Sequence, residues 1–321
     1  MADTANGKTA TYHDGEVWVF FCETHYQNWI YCQDNWRYQF IPDVPRSFAN
    51  NITRFVQILT TRDFQLGYKL AAIVPKLLDA DLDDANVYAL DTEFHHLQSG
   101  HIEVAEVAIV DVKTGRIIVN AVLDHSRAGL VETKMNKFLR IQQQDPSSPQ
   151  HVLPVYTAAC MMKQLEDCYF KESDVFVEYS KSSALPDLSL IRSVIEGQED
   201  YDAFRPIPGN NGFAIIPEIK ALLSRALPLP SYSLQFIFRL LFPQDPLVDC
   251  NHSAAIDSLQ LARILQLAAE LAKKPGGRNL PLDLFQGINE LQSLYQSAQS
   301  NTLDRYLELV PLDPALGLEH I

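Results

Sequence analysis

Asn86-Val87-Tyr88-Ala89-Leu90-Asp91-Thr92-Glu93-Phe94 is the stretch that decides the fold. Val87 to Leu90 make a short apolar run, the composition of a buried strand. The run ends in two acids rather than in a glycine-rich turn. A doubly wound nucleotide-binding sheet wants glycines at that point, so the run argues against it. Alternation along a strand puts Asp91 and Glu93 on one face. At about 4 Å and an effective dielectric near 20, two such carboxylates repel by roughly 4 kcal/mol. A divalent cation between them reverses that sign. A solvated strand end entering a turn is the plain alternative for Asp-x-Glu standing by itself.

Working outward, residues 102–111 alternate enough to form a second strand. Lys113-Thr114-Gly115 is a hairpin turn in which Gly115 supplies a positive φ. Residues 116–123 form the third strand. Residues 142–150 are a polar loop and 155–169 have helical spacing. A fourth strand spans 174–179, and a helix spans 187–196, closed by Gly197. A fifth strand is expected at 212–216, then helices at 218–226, 233–242 and 253–273. The order describes an α/β fold with a mixed sheet, its first strands antiparallel, flanked by helices.

Upstream, residues 47–78 read as helical, broken near residues 60–62 and again at Pro75. Asp79, Asp81, Asp83 and Asp84 form an acidic linker. The division expected is an N-terminal accessory region at 1–80, a central domain at 81–275 and a C-terminal helical extension at 276–321. The N-terminal region is rich in aromatics, suited to packing on the central domain or binding a protein partner. It also holds Cys22, His25 and Cys32. A closed zinc site needs four ligands, so no zinc is assigned.

Two further elements carry acids at helix starts. Asp187 follows the fourth strand in Leu185-Pro186-Asp187-Leu188, where a helix N-cap is the plain reading. Asn251-His252-Ser253-Ala254-Ala255-Ile256-Asp257 opens the helix at 253–273, which reads as an amphipathic core helix with Asp257 in its second turn. An acid there gains little from the helix dipole.

Asp-x-Glu, a later Asp at a helix start and His-x4-Asp, in that order, resemble the DEDDh 3′–5′ exonucleases of the RNase H-like superfamily. Tyr88-Ala89-Leu90-Asp91-Thr92-Glu93-Phe94 is similar to the first motif of that family. The strand and hairpin after it are similar to its second and third strands, and the run from His252 to Ala262 to its third motif. The resemblance covers about residues 86–272. One departure stands out. The family's middle aspartate usually closes a His-Asn-x-x-Phe-Asp segment, and here only Asp187 matches. Glu178 and Asp174 are the nearby acidic alternatives.

The resemblance implies an RNase H-like fold and two-metal phosphodiester hydrolysis. It implies that Asp91, Glu93, Asp187 and Asp257 hold two Mg²⁺ or Mn²⁺ ions, the hard cations that carboxylates suit. It also implies that His252 takes the proton from the attacking water, and that Phe94 and His95 contact the terminal nucleotide. The substrate implied is a single-stranded DNA or RNA 3′ end. For Phe94 a place in the core is the alternative. Lys134, Lys137, Arg140, Lys181 and Arg192 are cations that could meet phosphate. A catalytically inactive member of the fold, serving as a binding module, competes with the enzyme reading. A hydrolase of small nucleotides is a third reading.

Composition bounds these expectations. The chain has 321 residues, 47% of them hydrophobic and 21% charged, which suits a globular protein with a large core. Its net charge is −14. That argues against wrapping long duplex, which needs clustered cations, and favours a small footprint at a strand end. No long apolar run suggests a membrane span, and residues 1–16 lack the apolar core of a secretory signal. The cysteines are odd in number and unevenly spaced, so an intracellular, reducing compartment is expected.

Overall fold

The computed structural model describes the backbone of four short strands between residues 9 and 41. It also describes most of residues 61–280, with breaks chiefly at 79–85, 182–184, 198–211 and 225–231. The chain divides into two compact units. One comprises residues 1–56, 227–230 and 288–321, and the other residues 57–226 and 231–287. In the first unit, β1 (Thr9–Thr11), β2 (Trp18–Phe20), β3 (Asn28–Cys32) and β4 (Arg37–Ile41) form an antiparallel sheet in sequence order. The side chains of Cys22, His25 and Cys32 and the acidic linker lie outside the described residues.

The second unit opens with α1 (Tyr68–Leu78), which runs through Pro75 instead of breaking there. Pro75 sits close to the helix end, so the hydrogen bond it forfeits unsettles only the last turn. This helix shares the compact unit of the later elements, although it precedes the acidic linker. β5 (Val87–His96), β6 (Ile102–Asp111) and β7 (Arg116–Val122) follow. Next come α2 (Ala128–Gln142), α3 (Ala158–Cys168), β8 (Val175–Glu178) and α4 (Pro186–Glu196). The unit then continues with β9 (Gly212–Ala214), α5 (Ile216–Ser224), α6 (Leu234–Leu241) and α7 (Ala254–Ala272).

The five strands form one open mixed sheet in the order β7-β6-β5-β8-β9. β5 is antiparallel to β6 and parallel to β8. The hairpin between β6 and β7 turns at Gly115, whose φ is +68°, as the sequence predicts. One face of the sheet packs Tyr88, Leu90, Val107 and Ile109 against Met161 and Leu165 of α3 and Leu188 and Ile191 of α4. α7 packs on β5 and β6, covering the opposite face, to which alternation turns Val87, Ala89 and Asp91. It is buried nearly all round because α1 and α6 pack on it as well, so it is not amphipathic in place.

Two features set up the site. β8 ends early: its last pairing with β5 is Glu178 with Leu90. Beyond that point β5 runs on to His96 with only β6 beside it. The far edge of β5 is therefore open to groups from other elements.

Candidate metal centre

Asp91 and Glu93 stand on the open part of β5, on the face that α7 covers. Asp257 lies at the end of the first turn of α7, not in the second, because the helix starts at Ala254. Its backbone N–H bonds Ser253 O at 2.9 Å. One carboxylate oxygen from each of Asp91, Glu93 and Asp257 lies within 4.8 Å of the others. Asp91 and Glu93 are half-buried and Asp257 is buried.

Asp187 comes from the other side. It is not the N-cap of its helix. Leu185 holds that position, with a left-handed φ of +52° and no side-chain cap bond. Glu178 does the capping instead: its Oε2 accepts from the N–H groups of Asp187 at 3.0 Å and Leu188 at 3.2 Å. The Asp187 carboxylate is left to face β5. Its Oδ1 accepts from Thr92 Oγ1 at 2.5 Å, and the Thr92 N–H donates to it as well. Thus the residue between the two motif acids, pointing the other way, holds the fourth carboxylate. The alternatives are occupied elsewhere. Glu178 is a buried helix cap, and Asp174 accepts from the N–H groups of Asn86 and Lys171 at 2.8 Å each.

The electrostatics follow from crowding. Burial, and then the charges of Asp187, Asp257, Glu93 and Glu106 in that order, push the Asp91 carboxyl well above the usual carboxylate range. Burial also raises Asp187, against the opposing Thr92 bonds. Asp257 is raised by burial and by Glu93, while the Lys134 ammonium and the His252 N–H pull it down. Asp257 Oδ1 is buried with no hydrogen-bond partner among the described residues. An all-oxygen donor set with a spare buried lone pair suits a hard divalent cation.

His252 precedes α7 in a left-handed conformation, φ +63°, which is uncommon outside glycine and costs about 1–3 kcal/mol. Its N–H bonds the Asp257 carboxylate, and its carbonyl accepts from Lys134 Nζ of α2 at 3.1 Å. His252 as a residue is exposed. His95 Nε2 lies 3.0 Å from Asp124 Oδ2. Phe94 is 39% exposed, so it is not a core residue. It meets His96 edge to face, with centroids 5.4 Å apart.

Sequence reasoning missed Thr92, the capping role of Glu178, and Glu106. Glu106 pairs directly with Glu93 across β5 and β6, and so shares its face. An acid inside the apolar run of β6 was the signal. Among the described residues no helix is long and apolar enough to cross a membrane. No family model matches the chain, and no curated protein matches it.

Proposed function

We propose that the chain is a divalent-metal-dependent 3′–5′ exonuclease of RNase H-like fold, acting on single-stranded DNA or RNA ends. The observation that carries this reading is the convergence at one strand end of Asp91, Glu93 and Asp257, with Asp187 bonded to Thr92, the residue between the first two. The sheet order supports the fold, with its antiparallel β7-β6-β5 and parallel β5-β8-β9.

The residues divide the labour. Asp91, Glu93 and Asp257 would hold one cation, and Asp91 with Asp187 a second. When bound, the two Mg²⁺ or Mn²⁺ ions supply Lewis-acid activation of water and charge neutralisation at the departing 3′ oxygen. His252, whose backbone N–H bonds the Asp257 carboxylate, would take the proton of the attacking water. Phe94 offers its exposed face to the last base, a stack worth about 1–3 kcal/mol.

The test is Mn²⁺- or Mg²⁺-dependent release of mononucleotides from labelled single-stranded oligonucleotides, including a 3′-blocked control. Release should start at the free 3′ end and vanish with chelator. His252→Ala should lower turnover at least about 10²-fold and leave Mn²⁺ binding intact, whereas Asp91→Ala should remove both. No release across metals and substrates would leave the centre as part of a binding module.

A further inference from the structure

We propose that Glu106 is a positioning residue: its buried carboxylate fastens the first turn of α7 to the sheet and keeps His252 and Asp257 in register with Asp91 and Glu93. The proposal rests on reading the acidic cluster as a cation site.

The geometry is specific. Glu106 is 2% exposed, and its Oε2 accepts from Ala254 N–H at 3.0 Å, across 148 residues of sequence. Ser253, the residue at the N-cap of α7, makes no side-chain cap bond of its own. The helix is capped from the neighbouring strand instead. A cap within the same turn shapes only that turn, whereas a cap from β6 also fixes where the helix sits. The direct pairing of Glu106 with Glu93 makes the capping residue the cross-strand neighbour of a motif acid. A second bond reinforces the join one turn later, where Ser258 Oγ donates to Ala108 O of β6 at 3.4 Å.

The turn before the helix needs this support. His252 holds a positive φ, a conformation that persists only where its surroundings over-determine it. Asp257 holds its N–H and Lys134 its carbonyl. Both bonds are useful only if the helix start itself is fixed. A carboxylate suits that task, since the N–H groups at a helix N-terminus attract negative charge. Groups that orient metal ligands typically change metal affinity or activity 10–100-fold when removed.

Three variants separate positioning from ligation. Glu106→Gln keeps the length and the acceptor oxygen. Glu106→Asp keeps the charge but shortens the reach. Glu106→Ala removes both. The readouts are hydrogen exchange at the Ala254 amide, Mn²⁺ affinity by calorimetry with the metal alone, and kcat and KM on a single-stranded oligonucleotide. Positioning predicts that Glu106→Gln keeps Ala254 protection and Mn²⁺ affinity within about threefold. It predicts that Glu106→Asp and Glu106→Ala lose protection and about 10–100-fold in affinity, with kcat falling and KM little changed. A Glu106→Gln variant that loses Mn²⁺ affinity while Glu106→Asp keeps it would mean a charge or ligand role and overturn the proposal. Unchanged Ala254 exchange in Glu106→Asp and Glu106→Ala would overturn it equally. If the unaltered protein binds no Mn²⁺, the cation-site reading fails, and the exchange data still decide whether Glu106 holds the helix.

Discussion

Replacing Asp91 with Asn should make the metal-free protein more stable while destroying its activity. Asp91 shares a 4.8 Å sphere of carboxylate oxygens with Glu93 and Asp257. At that spacing and an effective dielectric near 20, each fully ionised pair costs about 3.5 kcal/mol. The pairs with Glu93 and Asp257 together come to about 7 kcal/mol. Proton uptake lowers the ceiling, because at pH 7 protonating an ordinary aspartate costs only about 4 kcal/mol, at 1.36 kcal/mol per pH unit above 3.9. Solvent reaching half-buried Asp91 and Glu93 screens the rest, so about 2 kcal/mol is the working expectation. For a domain of this size that is a rise in Tm of about 4–8 °C.

A cation should invert the order. Saturation at about 100 times Kd stabilises a binding protein by about 2.7 kcal/mol, and the Asn variant forgoes most of that. The assay is thermal unfolding followed by circular dichroism, in chelator and in saturating Mn²⁺, for both proteins. In chelator the variant should melt higher; in Mn²⁺ the gap should close or reverse. A variant that melts lower than the parent in chelator would refute the reasoning. So would Mn²⁺ raising both melting points equally.

Two other outcomes test the neighbouring assignments. Asp187→Asn should lose most Mn²⁺-dependent nuclease activity while Glu178→Gln, which keeps an oxygen for the two capped N–H groups, stays active; the reverse pattern in a rate assay would give Glu178 the metal role. His151 should make stability fall in acid. Its Nδ1 accepts from Ile117 N–H at 3.0 Å, and burial, with Arg116 nearby, pushes its pKa down to about 4. Below about pH 6.5 the unfolded chain binds a proton that the folded ring refuses. This contribution is therefore complete above 6.5 and is lost as the pH falls towards 4. Urea midpoints at pH 7.5 and 5 should drop more for the parent than for His151→Gln. An equal drop would remove His151 as the cause.

Much of the fold was legible because it rests on local patterns. β5 to β7 showed as apolar runs with a glycine turn, and α7 as a long apolar helix after a polar lip. α2 was also written in the sequence, in the spacing of Val131, Met135 and Phe138, all buried. Its polar remainder hid that stripe. The site was half legible. Asp91, Glu93 and Asp257 declare themselves by spacing and element boundary. The cap of α4 did not, since a strand glutamate supplies it and no local rule connects Glu178 with Asp187. Nor did Glu106. Its place opposite Glu93 depends on register, and β5 and β6 shift register just past that pair. Counting residues through the intervening loop cannot recover such a slip.

The early end of β8 has a consequence in time. Because it leaves the edge of β5 open, the centre takes groups from helices on both faces of the sheet. Thr92 meets Asp187 across 95 residues, and Glu106 meets Ala254 across 148. Contacts so distant in sequence form late, after the loop-closure entropy of the whole domain has been overcome. A chain emerging from the ribosome therefore carries its first acids long before the acidic cluster is complete, which happens only when α7 docks. Refolding followed by Mn²⁺ uptake should consequently lag behind the appearance of helical signal, so that cation uptake would mark the finished fold.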